Sequence, residues 1–260
     1  MSKEKRVLTK SEKNVIRIMV VVATVAIGVF AWLLYANDYY EATAVARKAM
    51  FGNATIEVTQ TDDYYIFSKK NEESKKGIIF YPGGKVEETA YAPMLIELAE
   101  NGYEVYLVKM PAKLAIFGMN KAENIIEEET HIEEWTMMGH SLGGAMAASF
   151  SAKHDEDIDQ LVLLAAYSTD DLNDKEIVVF SIYGSEDKVL NMEKYNSYAE
   201  NLPEDVVEDI IDGGNHAYYA HYGEQAGDGT ASITREEQQE CVLDVFLSYQ
   251  NTEKNSKRSR

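Results

Sequence analysis

The stretch Trp135-Thr136-Met137-Met138-Gly139-His140-Ser141-Leu142-Gly143-Gly144-Ala145 decides how this chain is read. A short apolar run leads into G-x-S-x-G, and a run of small residues follows, with Ala147 and Ala148 extending it. That order describes a buried strand turning sharply into a helix and lifting a serine above the strand's end. The turn is tight enough that side chains near the serine would collide with the backbone, so Gly139 and Gly143 flank His140, Ser141 and Leu142. The small residues after it suit a helix packed close against a sheet.

Outward from this turn, strands and helices alternate. Residues 55–59 and 64–68 read as a hairpin joined at Thr61-Asp62-Asp63, and 77–81 is a continuous apolar run typical of a strand buried on both faces. A helix is expected over 88–100, stopped by Asn101-Gly102, then a strand over 103–108 and a helix over 120–129. After the serine come strands at 160–165 and 177–183, a helix over 192–201 and a last strand at 206–211. Thr234 and Glu237 fit a capping box that opens a final amphipathic helix to about Tyr249. Eight strands alternating with helices predict an α/β fold: a mostly parallel eight-stranded sheet with helices on both faces, the serine following the fifth strand.

A serine hydroxyl needs a base to take its proton and an acid to orient that base. Of five histidines, His140 lies inside the turn, and His131 and His154 sit in polar, acidic stretches. His216 follows the last strand through Asp212-Gly213-Gly214-Asn215, at a strand's C-terminal end, where parallel sheets build their sites. It is the candidate base, and His221 is the second choice. Asp187, in the loop after strand 177–183, is the candidate acid, with Glu186, Asp170, Asp171 and Asp212 as rivals. The order Ser141, Asp187, His216 is the one expected for this turn.

The elbow, the acid loop Gly184-x-x-Asp187-x-x-Leu190 and the late Gly214-Asn215-His216 resemble the α/β-hydrolase superfamily over residues 54–250. Tyr81-Pro82-Gly83-Gly84-Lys85, Lys109-Met110-Pro111 and Gly227-Asp228-Gly229-Thr230 further resemble a bacterial, membrane-anchored group of that superfamily distantly similar to dienelactone hydrolases. Those use a cysteine nucleophile, where this chain has Ser141. The resemblance implies an oxyanion hole from two main-chain N–H groups, of Leu142 and of Gly84, each worth about 2.7–4 kcal/mol to a developing oxyanion.

Only eleven residues, 166–176, lie between strands 160–165 and 177–183, where the superfamily often inserts a lid. No lid domain is expected, and an open site favours short-chain or polymer-linked esters over long acyl chains. Gly83, Lys85, Met110, Ile116, Phe117 and Tyr218 are candidate pocket residues. No metal and no cofactor is expected: His216 and His221 are wrongly spaced for a helical ligand pair, and the acidic run 155–159 lacks the glycine and glutamate of a calcium loop.

Residues 18–36 carry no charge and one polar side chain, Thr24, so they can span a bilayer as a helix. Trp32, Tyr35, Tyr39 and Tyr40 cluster at its C-terminal end, where amphipathic rings favour the interface. Residues 1–17 hold six bases and two acids, net +4; from the total of −19, residues 37–260 therefore hold −23. The positive-inside rule puts 1–17 in the cytoplasm and the rest outside, with 37–53 as a stalk or linker and 251–260 as a disordered tail. An uncleaved anchor is preferred to a signal peptide, whose apolar core would be shorter. The acidic balance argues against nucleic-acid partners. The lone cysteine, Cys241, lies in an apolar-periodic stretch and reads as a buried, inert thiol.

The expectation is a membrane-tethered serine hydrolase for carboxylic esters, working through an acyl-enzyme on Ser141. The alternatives are an acyltransferase or peptidase with the same triad, or a non-catalytic envelope protein on this fold.

Overall fold

The computed structural model describes residues 9–258, with side chains as far as 252. It divides into two units, Met1–Asp38 and Tyr39–Arg260.

The first unit is one helix, α1 (Lys10–Asn37). Thr9 caps it in a capping box with Glu12, and none of its residues is buried. It begins at Lys10 rather than near Ile18, because nothing between the cap and the apolar run breaks a helix. It is long and apolar enough to cross a membrane, with a mean hydropathy of 2.5 over its most apolar window. Residues 1–8 of the expected cytoplasmic segment lie outside the described residues.

The second unit is built on one eight-stranded sheet: β1 (Ile56–Gln60), β2 (Tyr64–Lys69), β3 (Lys76–Tyr81), β4 (Glu104–Val108), β5 (Glu134–His140), β6 (Gln160–Leu164), β7 (Val178–Gly184) and β8 (Val207–Ile211). Their order is β1-β2-β4-β3-β5-β6-β7-β8; β1 and β2 pair antiparallel at one edge, and β3 to β8 run parallel. Its helices are α2 (Ala44–Ala49), α3 (Ala92–Glu100), α4 (Lys121–Glu128), α5 (Leu142–Ser151), α6 (Met192–Ser197) and α7 (Arg235–Arg258).

Alternation along the strands explains the continuous apolar runs. Ile78, Phe80, Leu107, Met138, Val162 and Phe180 share one core with Leu95 and Leu98 of α3 and Val242 and Phe246 of α7. Ile79, Tyr81, Tyr106, Met137, Leu161 and Leu163 share the other with Ile125 of α4 and Ala147, Ala148 and Phe150 of α5. Each large side chain so buried contributes about 1.5–3 kcal/mol. The register carries Tyr81 to Gly139 and His140 to Leu164, so the loops after β3, β5 and β6 leave the sheet side by side.

Residues 39–53 are not a stalk. Tyr40 makes a β-bridge with Val86, Ala42 and Ala46 are buried, and α2 packs against α3. These contacts use main-chain groups and alanines, which carry no apolar periodicity. The helix expected over 88–100 opens as a 3-10 turn (Glu88–Tyr91) before α3 starts at Ala92 with Pro93 in its first turn, and that expected over 192–201 ends as a 3-10 turn (Ala199–Asn201). Helix α7 continues to Arg258, past the end expected near Tyr249, so the tail beyond 250 is helical where it is described. What stops there is packing: Gln250 is buried, Asn251 exposed, and no glycine or proline intervenes. Cys241 is half-buried; burial, with Asp209, Asp244, Glu240 and Glu237 nearby, pushes its thiol up and keeps it protonated.

Candidate active site

Ser141 stands between β5 and α5 with φ 53° and ψ −122°, a backbone conformation that a non-glycine residue adopts only where its surroundings enforce it. Its N–H donates to Leu164 O at 2.9 Å. The enforcement is steric. A Cβ on Gly143 would lie 2.1 Å from Tyr81 O, and one on Gly139 2.6 Å from the Gly143 carbonyl carbon. The turn can close on the ends of β3 and β5 only with glycine at both places.

His216 follows β8 and caps a 3-10 turn, Ala217–Tyr219. Its Nδ1 lies 2.8 Å from Asp187 Oδ2, and the two side chains are 2 % and 1 % exposed. Asp187 Oδ1 accepts from Val189 N and Leu190 N, both at 2.8 Å, so the carboxylate is held by its own loop while it holds the imidazole. Of the carboxylates weighed, Asp187 is the one paired with His216 among the described residues. A second carboxylate fixes the loop itself: Asp228 accepts from Ala217 N (2.9 Å), Gly229 N (2.8 Å), His216 N and Lys188 N (both 3.3 Å). It thereby joins the histidine loop to the acid loop. Asn215 is clasped by Gln238 of α7, whose amide accepts from Asn215 N and donates to Asn215 O.

His140 is fully buried, its ring centroid 4.6 Å from that of His216. Its Nδ1 lies 2.7 Å from the Tyr91 hydroxyl, which also accepts from Gly83 N at 2.9 Å. Burial, and then the neighbouring His216, hold its pKa well below the ordinary histidine range, so its imidazole is neutral.

Leu142 is the first residue of α5, where an N–H has no acceptor within the helix. A Cβ on Gly84 would lie 3.1 Å from Leu142 Cδ2, so these two residues meet. Among the described residues Gly84 N–H has no hydrogen-bond partner, whereas its neighbours are committed: Gly83 N to Tyr91, Lys85 N to Lys113 O at 2.7 Å. Lys85 takes φ 59°, turning the loop at that point.

The sequence pattern of the alpha/beta hydrolase family matches residues 77–240, from β3 into α7. The chain belongs to that family. No curated protein matches it. Solved structures repeat the fold at low identity. The CIB-like hydrolase from Thermoplasma acidophilum is 15 % identical with a TM-score of 0.55, covering 74 % of this chain and 96 % of that one. Est1E from Butyrivibrio proteoclasticus is 14 % identical with a TM-score of 0.51, covering 75 % and 100 %. MGS-MChE2, an alpha/beta hydrolase from the metagenome of lagoon sediments, is 16 % identical with a TM-score of 0.54, covering 75 % and 99 %.

In this alpha/beta hydrolase Ser141 and His216 open on a cavity of about 250 Å³, lined also by Leu142, Ala145, Ala165, Ala166, Tyr167, Val189, Leu190 and Asn191. It lies over the loops after β6 and β7. The expected pocket lay on the other side, and none of its residues lines this cavity. Gly83 and Lys85 are held by main-chain bonds in the loop after β3, Met110 is buried, and Ile116 and Phe117 are exposed on a short turn. Tyr218 lies under the Arg235 guanidinium, 4.1 Å from its ring centroid, and faces a separate cavity of about 110 Å³. The residues that line this cavity follow the C-terminal ends of strands, and that rule, applied to β6 and β7 as well as β3 and β4, could have found them. His221 is buried away from Asp187; burial and Arg235 lower its pKa, and its main chain bonds to Ala90 O and Thr43 N.

One group among the described residues could hold a cation, Glu104, Glu129 and His131, with donor atoms within 4.8 Å of one another. His131 turns Nε2 to Glu104 (3.5 Å) and Nδ1 to Glu129 (3.6 Å), an imidazole between two carboxylates rather than one nitrogen aimed at a shared point. A cleft of about 380 Å³ lies at the same end of the sheet, opposite Ser141, lined by Glu72, Ser74, Lys75, Lys76, Tyr103 and Gln250 among others; the Ser74 hydroxyl is taken up by main-chain groups, Gly102 O at 2.7 Å and Lys76 O and N at 3.0 Å.

Proposed function

We propose that the protein is a serine hydrolase of carboxylic esters, tethered to the membrane by α1 with its hydrolase domain outside the cytoplasm. The observation that carries the reading is the buried 2.8 Å pair of His216 and Asp187 opening on the same cavity as Ser141 at its strained turn. Ser141 Oγ attacks the ester carbonyl while His216 Nε2 takes its proton. Asp187 keeps the proton of the other ring nitrogen in place and stabilises the imidazolium. Leu142 and Gly84 N–H groups receive the oxyanion. His216 then protonates the leaving alcohol, and water releases the acyl group by the same steps.

The neutrality of His140 belongs to this chemistry. A second cation about 4 Å from the forming imidazolium would cost about 4 kcal/mol at an effective dielectric of 20. The cavity supports short, uncharged acyl or alcohol groups, since Leu142, Ala145, Ala165, Ala166, Val189 and Leu190 line it and no carboxylate, lysine or arginine does. The bases at 1–17 and the apolar span support the tether and its orientation.

The test is hydrolysis of p-nitrophenyl acetate, butyrate and palmitate, with fluorophosphonate labelling, by the full chain in detergent and by residues 39–260. Turnover and labelling that favour the short esters and vanish in Ser141→Ala are expected. Folded protein that neither turns over nor labels would overturn the reading.

A further inference from the structure

The residues that follow α1 fasten two loops of the site at once. Tyr40 N donates to Lys85 O at 2.8 Å, and Glu87 N donates to Tyr40 O at 2.9 Å. Ala42 N donates to Glu87 Oε2 at 2.8 Å. These three bonds fall on the stretch just after Gly84. On the other side, Thr43 N donates to His221 O at 2.7 Å, the Tyr40 hydroxyl accepts from Ala226 N at 3.1 Å, and the Tyr40 ring lies 5.4 Å from that of Tyr222. These fall on the loop that begins at His216.

The peptide that carries the Gly84 N–H is held through its carbonyl, Gly83 O, which accepts from Val86 N at 3.4 Å, and Val86 is the residue that Tyr40 bridges. Lys85 sits in the left-handed region, which its own side chain disfavours. Its orientation therefore rests on bonds at both ends: Lys85 N to Lys113 O, and Lys85 O from Tyr40 N. Losing the second loosens Lys85 and Val86, and with Val86 the bond to Gly83 O that aims the Gly84 N–H.

We propose that residues 40–43 are a positioning strap of the active site, holding the Gly84 loop and the His216 loop in working register. The inference rests on the serine-hydrolase reading above. It makes the start of the domain, immediately beyond the apolar helix, part of the catalytic geometry and not a spacer.

Three variants of the full chain in detergent test it. Tyr40→Pro removes the N–H that Lys85 O accepts. Tyr40→Ala removes the ring and keeps both main-chain bonds. Glu87→Ala removes the acceptor of Ala42 N from the opposite partner, and stands in if the proline variant does not fold. The expected result is a kcat lowered about tenfold in Tyr40→Pro and in the same direction in Glu87→Ala, a fraction of what losing an oxyanion donor outright costs. KM stays within about twofold, and affinity for an alkyl boronic acid, which forms a tetrahedral adduct on the serine, falls by the same factor as kcat/KM. Tyr40→Ala, which loses the ring's and hydroxyl's ties to the His216 loop but keeps both main-chain bonds to the Gly84 loop, loses less turnover than Tyr40→Pro. A folded Tyr40→Pro and Glu87→Ala with unchanged kcat overturn the strap, as does a rate loss that leaves boronate affinity untouched. A wild type inert to fluorophosphonate instead overturns the hydrolase reading, and the strap with it.

Discussion

The hydroxyl of Tyr91 is shared between two parts of the site: it lies 2.7 Å from Nδ1 of His140 and accepts the Gly83 N–H at 2.9 Å. The same oxygen accepts the Gly83 N–H and shares one proton with His140 Nδ1. One buried oxygen thus ties the loop carrying Gly84 to the turn carrying Ser141.

Removing that oxygen alone, in Tyr91→Phe, leaves a buried N–H and a buried ring nitrogen unpaired. We expect a loss of about 1–3 kcal/mol for each unpaired group at most. Urea denaturation measures it. The kcat for p-nitrophenyl butyrate should fall while KM holds, since the ring still fills its place.

Asp187→Asn keeps the shape of the acid loop but offers His216 a group that favours the wrong tautomer. Turnover should fall about 10⁴-fold, as it does for the equivalent change in other triads. Stopped-flow acylation by p-nitrophenyl acetate is the measurement. A drop under tenfold would point to a different acid.

Asp228 holds four N–H groups from two loops. Asp228→Asn leaves an amide that presents one acceptor oxygen where the carboxylate presented two. A charged acceptor contributes about 1.5–3 kcal/mol per bond, so a loss of about 2–3 kcal/mol is expected, with a lower kcat as His216 loosens against Asp187. Thermal melting and kcat together check this.

The buried neutral histidines make stability depend on pH. Their folded-state pKa is depressed, so below the unfolded value of about 6.5 the unfolded chain binds protons that the folded chain does not. The stabilisation is complete above that value and is lost as pH falls, at up to about 1.4 kcal/mol per pH unit for each histidine. His140→Gln should flatten the decline between pH 6.5 and 5 relative to wild type, read from denaturant midpoints at each pH.

Ala145 faces the cavity from the first turn of α5. Ala145→Phe should raise KM for butyrate more than for acetate and leave thermal stability nearly unchanged. Equal effects on both esters would place the acyl chain elsewhere.

The candidate site, in so far as Ser141, Asp187 and His216 meet at one end of the sheet, was largely legible because its signals are local. A strand, a turn that only glycine can close and a helix of small residues occupy eighteen consecutive positions of β5 and α5, from Glu134 to Ser151. His216 and Asp187 follow strand ends, and strands buried on both faces are conspicuous. The strap was not legible, because Tyr40, Ala42 and Thr43 act mostly through main-chain groups that every residue has. Tyr91 looked like one more apolar-face residue of a helix, since its hydroxyl gains meaning only when His140 and Gly83 arrive from elsewhere in the chain. The side on which the cavity opens depends on where the loops after β6 and β7 settle, which is decided by contacts between distant segments such as Leu172 N with Asn201 O.

The chain between β6 and β7 crosses from Ala165 to Ile177 in turns alone, pinned by the buried Leu172 and by Asn201, whose side chain donates to Ser168 O at 3.0 Å. A segment so short and so fastened has no closed position to leave. The enzyme therefore has nothing for a lipid–water interface to open: its rate should rise hyperbolically with dissolved ester and show no step when the ester forms micelles. On the proposed tether, nearness to the bilayer would set which substrates it meets, and would not switch it on.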